Sequence, residues 1–136
     1  MTVQVVDSHP VVAAIGSAVT TGGVAFGDGK KPANVGSKPY VVAFFDAGTV
    51  TDRSLASRDG WELYCSFQCA GLSPEAVRIA IRKVRAAVLG LRRQVLGGRL
   101  ILMPTHEYGA PMSREDDADP TLFIQIDEWR IRTSPA

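Results

Sequence analysis

The chain has 136 residues, 46% of them hydrophobic and 21% charged, with a formal net charge of +1. That length suits one compact domain spanning 1–136, and near neutrality excludes a global pull toward nucleic acid or anionic membrane, so any basic feature must be local. No apolar run reaches the roughly 18–20 residues of a membrane span, and Asp7 and His9 interrupt the basic-then-apolar order of a signal peptide, so a start in the cytosol is expected.

Asp7 or Ser8 can cap a first helix, with Pro10 in its first turn, Val11, Ile15 and Ala18 at helical spacing, helped by Val12 and Val19, and Gly22 and Gly23 at its end. The stretch from Gly27 to Pro39 is rich in Gly, Lys and Pro and reads as a surface connection after a short strand at Val24 to Phe26. It lacks the lysine and hydroxyl spacing of a phosphate-binding loop. Tyr40 to Asp46 is a strand whose nearly continuous apolar run predicts cover on both faces. Gly48 to Asp59 is polar, carries Arg53 and Arg58, and suits a long projecting loop, a usual place for function.

Trp61 to Ala70 alternates, with Trp61, Leu63, Cys65, Phe67 and Cys69 on one face and Glu62, Tyr64, Ser66 and Gln68 on the other. Cys65 and Cys69 are therefore roughly 13 Å apart along a strand, too far for a disulfide, and read as two buried thiols. Ser73 as N-cap, Pro74 and Glu75 then start a helix whose apolar stripe is Val77, Ala80, Ile81, Val84, Val88 and Leu91. Its outer side carries a ridge of Arg78, Arg82 and Arg85, extended by Arg92 and flanked by Lys83 and Arg93, with Ile79 and Leu89 outside the main stripe.

Gly97 and Gly98 mark a break, and Leu100 to Met103 makes a short strand ended by Pro104. Thr105 to Pro120, with the acidic run Glu115, Asp116, Asp117 and Asp119, reads as a solvated loop. Leu122 to Arg132 is a closing strand whose alternation slips, which a bulge near Asp127 or Glu128 reconciles. These elements predict an α+β domain with a mainly antiparallel (mixed) sheet of four or five strands covered by two helices.

The chemistry-bearing residues do not form a recognisable catalytic or metal pattern. His9 and His106 stand apart, the cysteines share an apolar face, and the acidic run lacks the glycine and terminal glutamate of a calcium loop. The arginine ridge has three readings: a solvated face, a protein interface, or a nucleic-acid contact. Leu89 among the arginines favours an interface, because exposed apolar residues rimmed by charge mark binding surfaces. A basic helix and an acidic loop, Glu115, Asp116 and Asp117, on one small domain are also complementary, which allows a head-to-tail contact between copies.

The order of elements carries a resemblance. The early helix with Val11, Val12, Ala13 and Ala14, the Pro39 to Val42 strand, a loop with Arg53, a strand ending in Gln68, and the Ser73-Pro74-Glu75 start leading to Val84, Arg85 and Leu89 resemble the tail terminator (tail completion) proteins of long-tailed bacteriophages. The closing segment Phe123 to Arg132 with Trp129 is similar too. The resemblance implies a tail-terminator-like subunit that forms a homo-hexameric ring at the head-proximal end of the virion tail. There it caps the tail tube protein, stops polymerisation and meets a head-tail connector or neck protein. It implies neither catalysis nor a cofactor or metal, and no membrane or sequence-specific nucleic acid as partner. On that reading, Arg78, Arg82, Arg85, Leu89, Glu115, Asp116 and Asp117 are expected at the subunit interface and Arg53 and Arg58 at the tube or neck. A head-closure or neck subunit is the alternative within assembly proteins. A small cytosolic enzyme, which clustering of His106, Glu107 and Tyr108 with Cys65 in a deep pocket favours, and a nucleic-acid-binding protein are the others.

Overall fold

The computed structural model describes residues 7–50, 60–117 and 120–136. It contains helices α1 (His9–Thr21) and α2 (Pro74–Leu89). The strands are β1 (Ala25–Asp28), β2 (Tyr40–Phe45), β3 (Thr49–Val50), β4 (Trp61–Gly71), β5 (Val95–Leu96), β6 (Arg99–Ile101), β7 (Thr105–Gly109), β8 (Ser113–Glu115) and β9 (Leu122–Pro135). The sheet runs β1-β2-β4-β9-β6-β5, with β3 beside β4 and both β7 and β8 beside β9. Only β1 and β2 are parallel among the described pairs, so the fold is α+β with a mixed, mainly antiparallel sheet, as the patterning predicts. Short polar strands extend it beyond the four or five expected.

Both helices lie on one face. Val11, Ile15 and Val19 of α1 and Val77, Ala80, Ile81, Val84 and Val88 of α2 close over Val41, Ala43, Leu63, Cys65, Phe67, Cys69, Trp129 and Ile131. Ala18 is exposed, because α1 turns its 11-15-19 edge inward. The Ser73 cap forms as expected, its hydroxyl accepting from the Ala76 N–H at 3.1 Å. At α1 the capping oxygen belongs to Asp7, which accepts from the His9 N–H at 3.0 Å, while the Ser8 side chain caps nothing. The β2 segment is buried on both sides at Val41, Val42 and Ala43 but not at Phe44, which is 44% exposed on the face away from the helices.

Three connections differ from expectation. Gly97 and Gly98 are the two residues of a tight hairpin between β5 and β6, both at positive φ, the conformation that a type I′ turn requires. The 105–120 stretch is not all loop, since β7 and β8 pair with β9. Every residue in these two strands is exposed, so no burial alternation marked them. The bulge lies not in β9 but in its partner β7, where the register shifts between His106 and Tyr108. Pairing of β9 with β4 runs without interruption from Gly71↔Phe123 to Trp61↔Thr133. The apparent slip arises because β9 presents Leu122, Ile124 and Ile126 outward and the polar Gln125 and Asp127 inward, the inverse of the usual distribution.

Candidate interaction surface

The width of the two layers sets the site. Two helices of about 10 Å diameter cover about four strands spaced about 4.8 Å apart. Here α1 sits over β1, and α2 over β4 and β9. Among the described residues, no helix packs over the inner face beyond β9, toward β7 and β8. An open groove of about 600 Å³ runs there, lined by Glu75, Arg78, Ile81, Arg82 and Arg85 of α2 and by Gln125 of β9.

Arg85 departs from the expected ridge. Its guanidinium turns down from α2 onto Asp127, with Nε 3.1 Å from Oδ2 and Nη2 3.0 Å from Oδ1. Asp127 has no solvent exposure and sits opposite Phe67 in the β4 register. His106 Nε2 lies 2.7 Å from Asp127 Oδ1, and the Trp129 indole donates to Oδ2 at 2.8 Å. Burial alone raises this carboxyl's pKa, but the hydrogen bonds from Arg85, His106 and Trp129, with the Arg85 charge, outweigh it and hold the group below its ordinary value. The same pairing raises the Arg85 pKa. The sequence pattern does not point to this cluster, because a bulge near Asp127 or Glu128 accounts for the same alternation. The available signal was a lone carboxylate in inward register, two residues before a tryptophan.

Arg78 and Arg82 remain as the free cations of the ridge, with no hydrogen bond or ion pair among the described residues. Lys83 lies on the other side, its aliphatic stem against Gly22, the C-cap of α1. Leu89 is exposed one turn beyond Arg85, and an Arg92 guanidinium nitrogen lies 4.0 Å from the sulfur of exposed Met103. Ile79, by contrast, packs against the edge of the core.

The acidic residues face elsewhere. Glu115 pairs with Leu122, whose side chain points away from the helices, and its charge adds to burial in raising the pKa of the Tyr40 phenol on that outer face. Asp116 is held by Arg114 at 2.7 Å, and Asp117 is exposed in the turn that follows. Arg53 and Arg58 lie outside the described residues. On either side of them, Asp46 accepts the backbone N–H groups of Gly48 and Tyr64, and β3 pairs with Trp61 and Glu62.

The basic groove thus lies on the helix side of the sheet and Glu115 on the other side. The chain is similar in fold to a protein in a solved structure described as the virion of a native gene transfer agent particle. The likeness has a TM-score of 0.62 at 18% identity and covers 93% of this chain and 99% of that one. No protein-family model matches the sequence, and no curated protein matches it.

His106, Glu107 and Tyr108 do not cluster with Cys65. Cys65 points under the sheet with its sulfur 3.5 Å from the Trp129 carbonyl, and burial pushes the thiol pKa of Cys65 and Cys69 far up, which keeps both protonated. His106 engages Asp127, while Glu107 pairs with Arg130 on the outer face, so the bulge between His106 and Tyr108 directs neighbouring side chains apart. Among the described residues no group of three or more His, Cys, Asp or Glu is placed to hold a metal ion.

Proposed function

We propose that this protein is a structural virion component that closes the tail tube of a phage-like particle as a ring, stops its polymerisation and presents the surface that joins tail to head. The observation that carries the reading is the likeness of fold, along almost the full length of both chains, to a protein of a gene transfer agent virion. The order of elements that resembles tail terminators supports the same role. A six-fold ring of identical subunits needs two complementary surfaces per chain, and the domain offers a basic groove on one face and an acidic turn on the other. Arg53 and Arg58, in the polar stretch between β3 and β4, are assigned to the tube or neck.

The test is removal of the gene from a genome that makes the particle. Tail tubes of uncontrolled length and heads without tails are the expected phenotype. Tails of normal length, joined normally to heads, contradict the proposal. A narrower test deletes the tip Ser54 to Ser57 alone, where unchanged tail length removes the loop from the tube contact.

A further inference from the structure

Arg78 and Arg82 stand on the rim of a groove whose other cation, Arg85, is neutralised by a buried carboxylate. With Glu75 at one end, the lining keeps a positive balance, and its floor includes the amide Gln125 beside the apolar Ile81. A polar floor under a basic rim suits an extended acidic segment better than an apolar helix. On the same molecule, Glu115 and Asp117 have no cationic partner among the described residues, whereas Asp116 has Arg114. Two uncommitted arginines thus face two uncommitted carboxylates in number. Glu115 belongs to the sheet face opposite the helices, so its side chain points away from the groove of its own chain.

We propose that the groove between α2 and β9 is the socket for the acidic turn Glu115–Asp117 of a second copy of the chain, with Arg78 and Arg82 pairing with the carboxylates of that turn. The contact joins different surfaces of the two copies and is therefore head-to-tail, and it continues from copy to copy until the rotation closes it. Asp127 acts as a positioning residue: by holding Arg85 against the floor it keeps that side chain from filling the socket. The inference rests on the reading of the chain as a self-assembling protein and names the two surfaces that meet.

The experiment measures mass by sedimentation and native mass spectrometry for four proteins: wild type, the groove reversal Arg78→Glu/Arg82→Glu, the turn reversal Glu115→Lys/Asp117→Lys, and all four substitutions together. Each reversal alone should weaken association at least roughly 10-fold, and the fourfold swap should restore it, because opposite charges again meet. An equimolar mixture of the two reversal variants should also assemble, with the two kinds of subunit alternating. Wild-type association should weaken as salt rises from about 50 to 500 mM.

Reversal variants that assemble like wild type overturn the socket, and so does a wild-type chain that stays monomeric at every accessible concentration. Loss of DNA retention in the groove reversal, with assembly unchanged, also overturns it and assigns the groove to a phosphate backbone. The two levels separate cleanly. A six-fold ring that tolerates both reversals removes the socket and leaves the tail-closing role standing. Swap-restored association that never closes into a ring keeps the socket and removes that role.

Discussion

Replacing Asp127 with asparagine keeps the shape of the side chain and removes its charge. The carboxylate accepts from two Arg85 nitrogens, engages His106 and accepts from the Trp129 indole, all at 2.7–3.1 Å. An amide has one accepting oxygen, so at least one Arg85 N–H is left facing an NH2 group. A hydrogen bond to a charged acceptor contributes about 1.5–3 kcal/mol and a neutral one about 0.5–1.5. Breaking a buried pair costs about 3–5 kcal/mol, but the Arg85 side chain is 44% exposed and can turn to water, which reduces the loss. Asp127→Asn is therefore expected to destabilise by about 2–3 kcal/mol at pH 7, or roughly 3–5 °C of melting temperature per kcal/mol for a domain of this size. Paired urea titrations at fixed protein concentration measure it.

The pH dependence gives a second readout. Because the folded Asp127 pKa is depressed, its contribution is fully present above the unfolded value, near about 4, and is lost as pH falls through the lower folded value. The gap between wild type and Asp127→Asn should be complete at neutral pH and close in that acidic window. A difference below about 0.5 kcal/mol at pH 7, or a gap that widens on acidification, refutes the reasoning.

Other outcomes follow from individual contacts. Ser73→Ala should cost about 1 kcal/mol by removing the cap that the Ala76 N–H donates to, measured by the same titration. Gly27→Ala should cost at least about 2 kcal/mol, because a Cβ there lies 1.9 Å from the Lys30 carbonyl oxygen and the backbone of that turn must move. Cys65 and Cys69 should react with a thiol reagent at pH 8 only at the rate of global unfolding, since burial holds both protonated and covered. Fast labelling of either in the folded protein contradicts their placement in the core.

The parts of the fold with their own local signals were legible in the sequence. Ser73, Pro74 and Glu75 announce α2 through cap chemistry, and the alternation from Trp61 to Cys69 announces β4, because each signal depends on neighbours within a few residues. What escaped depends on partners far along the chain. The residues of β7 and β8 are strands only because β9 offers backbone hydrogen bonds, and their exposed side chains leave no periodic trace. Gln125 and Asp127 face inward by the register of β9 on β4, and the polar side chains are tolerated there because Arg85, His106 and Trp129 satisfy Asp127 while Gln125 lines the open groove, none of which shows in the local pattern. The same holds for the site. Arg78, Arg82 and Arg85 share a helical face, yet Asp127 takes Arg85 away from solvent-facing partners, a pairing across 42 residues.

Negative-stain imaging of the purified protein, together with its mass in solution, decides whether identical copies close into the proposed ring. Closure gives images with six-fold symmetry and a mass of six chains of 14.6 kDa each. A chain that stays monomeric at every concentration, with no ring in any image, contradicts it.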